Sequence, residues 1–128
     1  MNLLLDTHTF IWGSITPEKL SDTVRNLLQD NANTIILSLA SIWEMQIKVQ
    51  RGKLTINRPL PELIASQQQT NNLQLLPIEV PHIFALQNLP DYHRDPFDRI
   101  IISQAMVEGL PVLSKDATFD AYPIVRVW

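Results

Sequence analysis

The chain contains no cysteine, which excludes disulfides and any metal centre built on thiolates. A cysteine-free chain fits a reducing compartment, and a cytoplasmic location is the expectation. Long apolar runs are missing too. The N-terminus, Met1-Asn2-Leu3-Leu4-Leu5-Asp6, offers three leucines and no basic segment, so it reads as neither a signal peptide nor a membrane span. There is no repeat, linker or biased tract, and the 128 residues are expected to form a single domain, residues 1–128. Positive charge is also scarce. Ten basic residues against thirteen acidic ones leave a formal charge of −3, the wrong sign for a protein carrying a broad basic stripe. Four of those basic residues, Lys48, Arg51, Lys53 and Arg58, nevertheless lie close together, so a local basic face stays open.

A hydrophobic content of 45% supplies an ordinary globular core, and its distribution marks the elements. Leu3-Leu4-Leu5 is an apolar run that stops at Asp6, as a buried strand ending in a polar turn would. Residues 21–30 carry Val24, Leu27 and Leu28 at helical spacing behind Ser21, a good N-cap. Residues 34–37 form a second apolar strand, followed by a helix over about 39–50 that Gly52 ends. Residues 58–61 read as a turn, 62–69 as a helix, 73–76 as a third strand closed by Pro77, and 80–89 as a short helix. The sharpest signals bracket the next helix: Asp95 at the N-cap, Pro96 at the first helical position and Gly109 past the end. Its Ile100-Ile101-Ile102 interior marks it as buried. Two last strands, 112–113 and 124–127, complete the set. Short apolar strands alternating with helices predict an α/β fold, a three-layer α/β/α sandwich around a parallel sheet. In such sheets ligands bind beyond the carboxyl ends of the strands.

Four acids fall at suggestive places. Asp6 directly follows the first strand, and Asp116 follows the fourth. Each has a plain structural alternative, since each could cap a short helix. Glu44 sits in the apolar stretch Ile42-Trp43-Glu44-Met45, with Lys48 four residues on as an ion-pair partner. Asp98 belongs to Asp95-Pro96-Phe97-Asp98, where a capping box with Asp98 reaching back to Asp95 would suffice. His93 and Arg94 beside it are candidates for phosphate contact, or simply a solvated loop. If the four acids converge on one edge, their repulsion demands a hard divalent cation or raised pKa values. An all-oxygen donor set selects Mg²⁺ or Mn²⁺ over zinc. Trp12 and Trp43 are expected to pack in the core, and His8 to be a turn or packing residue.

These four blocks together resemble a known family. Leu3-Leu4-Leu5-Asp6-Thr7-His8, the Ser41–Lys48 stretch around Glu44, His93-Arg94-Asp95-Pro96-Phe97-Asp98-Arg99 and Ser114-Lys115-Asp116 are similar, in order and spacing, to PIN-domain nucleases, within them to the VapC-type toxins of toxin–antitoxin pairs. The resemblance implies strand order 3-2-1-4-5 and maps the acidic, Mg²⁺- or Mn²⁺-binding site onto Asp6, Glu44, Asp98 and Asp116, with Asp95 as rival to Asp98. It also implies an RNA substrate, a small antitoxin partner and a homodimer. Lys48, Arg94 and Arg99 are candidate contacts to the RNA backbone. Ser114 stands where many relatives carry threonine. Two other functions compete. A haloacid-dehalogenase-like phosphatase also begins with a strand ending in Asp, but needs a second Asp where this chain has His8. A non-catalytic interaction module would use the same acids only as helix caps.

Overall fold

Five short strands, β1 (Asn2–Leu5), β2 (Thr34–Ser38), β3 (Gln74–Leu76), β4 (Val112–Leu113) and β5 (Arg126–Val127), form one sheet in the computed structural model, which describes all residues 1–128. Every pairing is parallel and the order is β3-β2-β1-β4-β5. The expected α/β sandwich and strand order are both observed. Leu5 is in register with Leu37 on one side and Leu113 on the other. Asp6, Ser38 and Ser114, the residues that follow, therefore emerge side by side at the carboxyl edge. Strand order reverses between β1 and β4, and that switch point is where parallel sheets open a binding crevice.

Alternation along β1 divides the core. Leu3 and Leu5 enter one apolar cluster with Phe10, Val24, Leu37, Met45 and Leu63; Leu4 enters the other with Val112, Ile101, Ala105 and Phe119. The helices α1 (Thr7–Ile15), α2 (Asp22–Gln29) and α4 (Leu60–Asn71) serve the first cluster. The second is dominated by α6 (Pro96–Glu108), whose Ile100 to Ala105 run is wholly buried. α3 (Leu39–Gln50) contributes to both through Met45 and Ala40. A short α5 (Val80–Ala85) packs on α6 and passes into a 3-10 turn, Leu86–Asn88. No helix is long and apolar enough to cross a membrane.

Local chemistry sets the helix ends. Ser21 caps α2 by accepting from Val24 N at 3.1 Å, and Ser38 caps α3 through Ala40 N at 3.0 Å. α6 starts at Pro96 behind the Asp95 cap and ends at Gly109, whose φ of 65° suits a residue without a side chain. Some boundaries differ from expectation: the short helix expected over 80–89 ends at Ala85, and the last strand is only Arg126–Val127. α4 begins at Leu60 inside the presumed turn, because Pro61 falls in the first helical turn, where a missing N–H leaves nothing unpaired.

Candidate active site

Asp6 and Ser114 stand side by side at the switch point. Asp6 is 6% exposed; its Oδ1 caps α1 by accepting from Thr9 N at 2.8 Å, and its Oδ2 accepts from Ser114 Oγ at 2.6 Å. The capping reading of Asp6 is thus correct in geometry, yet the cap stands at the switch point. Thr9 Oγ donates to Leu113 O at 2.8 Å, tying the same helical turn to β4.

Glu44 comes from α3, buried at 6% exposure, and Lys48 Nζ meets its Oε2 at 2.9 Å. The i,i+4 pair that spacing suggested is present. Burial makes it more than a surface pair, because Glu44 also bears on Asp98.

Asp98 is decided by its helix terminus. Asp95 is the N-cap, with Oδ1 accepting from Phe97 N at 2.8 Å and Asp98 N at 3.4 Å. No hydrogen bond within the chain engages the Asp98 carboxyl, so the expected reach back to Asp95 does not form. The group is half-buried and its pKa is pushed up to about 7, first by burial, then by the negative charge of Asp95, with Glu44 and Asp6 adding to it against the pull of His93. That three-way influence places Asp98 electrically among Asp6 and Glu44.

Asp116 caps a 3-10 turn, Ala117–Ala121. Its Oδ1 accepts from Thr118 N at 3.0 Å, and its Oδ2 meets His93 Nε2 at 2.7 Å. Burial alone would raise it, but the hydrogen bonds from His93 and Thr118 outweigh that and hold the carboxyl below the ordinary aspartate range. Its backbone N–H donates to Ser114 Oγ at 3.1 Å, so one serine hydroxyl links two of the four acids.

Several side chains depart from expectation. His93 is neither solvated nor free, being 9% exposed with Nδ1 2.9 Å from the Tyr122 hydroxyl. Arg99 donates to the carbonyls of Leu89, Pro90 and His93 and pairs with Asp91 at 3.2 Å; its guanidinium holds the loop ahead of α6. Arg94 is exposed and makes no ion pair. Trp12 is half-buried against the core, but Trp43 is 60% exposed, against the core-packing expectation. α3 turns that position outward, and its ring meets Phe97 edge to face at 5.1 Å. His8 lies in α1 rather than a turn, exposed beside Trp12.

A group that sequence reading did not single out is tighter. Glu79, His82 and Glu108 bring one ligand atom each within 4.8 Å of one another, a spacing that no three of the four predicted acids reach. His82 is fully buried, and its Nδ1 accepts the Glu79 backbone N–H at 2.9 Å, which puts the neutral imidazole's proton on Nε2, 2.9 Å from Glu108 Oε1. A metal at Nε2 would have to displace that proton and form an imidazolate. The trio is a strut between α5 and α6, and a donor set of carboxylates alone fits a hard cation better.

Residues 3–125 match the family described as PIN domain. The chain belongs to the PIN domain family. It is a family of nucleases that use divalent metal ions, and membership displaces the phosphatase alternative. No curated protein matches the sequence at a significant level. Among solved structures, the PIN chain is similar to that of VapBC2 from Rickettsia felis bound to a DNA fragment from their promoter (TM-score 0.74, 17% identity, 99% of this chain and 98% of that one). It is also similar to FitAcB from Neisseria gonorrhoeae (0.68, 18%, 98% and 96%) and to DNA-bound VapBC from Salmonella typhimurium (0.67, 17%, 100% and 97%). At these identities the likeness is one of fold. Carboxylates at the carboxyl edge of the sheet, one of them raised to about 7 first by burial and then by its acidic neighbours, fit a divalent ion.

Proposed function

We propose that residues 1–128 are a single-domain, Mg²⁺- or Mn²⁺-dependent endoribonuclease, the cytoplasmic toxin of a toxin–antitoxin pair, with Asp6, Glu44, Asp98 and Asp116 as its site acids. The observation that carries this reading is the Asp98 carboxyl. It serves no cap, and burial with Asp95, Glu44 and Asp6 raises it to about 7. A partly buried carboxylate that caps nothing and bears on other acids is what a cation site needs and an interaction module does not.

The four acids would hold the ion, which when bound supplies Lewis acidity and a water of lowered pKa. The chain's own residues do the rest. Ser114 fixes Asp6 from below, and the Thr7 hydroxyl donates to Ser41 Oγ at 2.9 Å, locking α1 against α3 beside the site. Asp98, part-protonated near neutrality, gives up its proton as a cation binds. Hydrolysis adds water across a P–O3′ bond and leaves 5′-phosphate and 3′-hydroxyl ends. Exposed Trp43, propped by Phe97, stands next to Glu44 and offers a stacking face for an unpaired base, which favours single-stranded RNA. Arg94 is free to meet a phosphate. Lys48 stands at the rim already paired with Glu44, and Arg99 acts through the loop it holds.

An antitoxin partner is supported by chains of the same fold in a toxin–antitoxin complex from Klebsiella pneumoniae and in VapBC-5 from Mycobacterium tuberculosis, a member of the VapBC family of toxin–antitoxin systems. A homodimer is supported by the outward stripe Val80, Ile83 and Phe84 on α5. The interaction-module reading keeps one observation, that Asp6, Asp95 and Asp116 do cap. A cleavage assay decides: purified chain with Mn²⁺ should cut a single-stranded RNA oligonucleotide, and chelation should stop it. No cleavage with either ion, across varied RNA sequences, would contradict the enzyme.

A further inference from the structure

Of the four site acids, Asp116 is the most exposed. Asp6 and Glu44 are each 6% exposed, and Asp98 is anchored in a long buried helix. The Asp116 side chain is 41% exposed and follows a strand of two residues. An exposed carboxylate samples several rotamers unless something holds it. The Thr118 N–H holds Oδ1, and His93 is placed to hold Oδ2. Its Nε2 lies 2.7 Å from Asp116 Oδ2, and its Nδ1 lies 2.9 Å from the Tyr122 hydroxyl. When the tyrosine donates to Nδ1, the imidazole proton sits on Nε2 and points at the carboxylate. The ring itself is fixed, edge-on to Phe119 with centroids 5.0 Å apart and tilted over Tyr122 at 5.4 Å. Phe119 is fully buried and Tyr122 nearly so, which makes the seat rigid. The His93 backbone carbonyl is held in turn by Arg99 at 3.3 Å.

We propose that His93 is a positioning residue, an imidazole strut that fixes the orientation of Asp116 and couples the start of α6, which carries Asp98, to the turn that carries Asp116. The proposal rests on the reading of Asp116 as a site acid. Two acids from segments eighteen residues apart in sequence must present their oxygens to one ion. Arg99 and His93 join those segments by two hydrogen bonds: Arg99 of α6 donates to the His93 carbonyl, and the imidazole of the same residue reaches Asp116. Tyr122 is the second half of the device, because its hydroxyl selects the tautomer. Partners behind a metal ligand of this kind commonly matter 10- to 100-fold for metal affinity or turnover.

The test compares the wild-type chain with His93→Phe, His93→Gln and Tyr122→Phe. Three quantities are read: Mn²⁺ affinity by calorimetry, kcat and KM on a single-stranded RNA oligonucleotide, and the metal-free melting temperature. Phenylalanine keeps the packing against Phe119 and removes both nitrogens; it should weaken Mn²⁺ binding or lower kcat roughly 10- to 100-fold, with KM for RNA little changed. Glutamine, whose amide nitrogen can donate in place of Nε2, should restore most of that loss. Tyr122→Phe should fall between the two, and it decides the matter if His93→Phe fails to fold. A folded His93→Phe with wild-type Mn²⁺ affinity and kcat would overturn the proposal, as would wild-type values in Tyr122→Phe if it must stand alone. Equal losses in the Phe and Gln variants, tracking their melting temperatures, would reduce His93 to a packing residue and also overturn it. A wild-type chain that binds no Mn²⁺ would strike the metal-site reading itself.

Discussion

The Ser114 hydroxyl donates to Asp6 Oδ2 at 2.6 Å while accepting the Asp116 backbone N–H at 3.1 Å, so a single buried oxygen joins β1 to the segment after β4 at the point where strand order reverses. Ser114→Ala would leave a buried carboxylate oxygen and an amide each short of a partner. Hydrogen bonds to a charged group are worth about 1.5–3 kcal/mol, and a loss of that size should appear in denaturant titration. RNA cleavage should fall with it. Ser114→Thr keeps the hydroxyl and should retain activity; an inactive threonine variant would show that the pocket, not the bond, is limiting.

Asp95 and Asp98 separate capping from the site. Asparagine caps as well as aspartate, so Asp95→Asn should change stability little and keep most activity. Asp98→Asn should abolish Mn²⁺-dependent cleavage while leaving the metal-free melting temperature unchanged or higher, since it relieves repulsion with Asp95, Glu44 and Asp6. Melting curves and rates for both proteins suffice, and the reverse ranking would give the site to Asp95.

Asp98 also sets a pH dependence. Its folded pKa of about 7 lies above the ordinary 3.8, so between those values the native protein holds a proton that the unfolded chain has released. Folding then takes up a proton, and the contribution of Asp98 to stability falls as pH rises through that window. Asp116 has the opposite sign: its lowered pKa adds stability above the ordinary aspartate value, lost as pH falls below it. Metal-free Asp98→Asn should therefore gain on the wild type most at pH 8 and least at pH 5. A difference independent of pH would contradict the placement of Asp98.

The Glu79–His82–Glu108 group should behave as a strut. His82→Ala should lower the melting temperature by loosening α5 from α6, with Mn²⁺ affinity unaltered. Loss of Mn²⁺ binding in that variant would move the metal centre to the far end of α6.

What could be read from the sequence was what is local. Asp95, Pro96 and Gly109 bracket α6 because caps act within one turn, and Ser21 announces α2 for the same reason. Resemblance supplied the strand order, since register between β1 and β4 joins residues more than a hundred positions apart. His93 was misjudged because its partners lie 23 and 29 residues away, and nothing beside it reveals them. Trp43 was misjudged because an aromatic residue among apolar neighbours reads as core, while the rotation of α3 exposes it. Asp6 and Asp116 had two competing readings, and the structure gives each both a cap and a place at the carboxyl edge of the sheet.

The most direct measurement is the anomalous scattering of a crystal of the protein grown with Mn²⁺. A peak within roughly 2.0–2.6 Å of carboxylate oxygens from Asp6 and Asp98, with Glu44 and Asp116 lining the same site, is the predicted result. A peak at Glu79 and Glu108, or none in the crevice at saturating Mn²⁺, would contradict the assignment of these four acids as the metal centre.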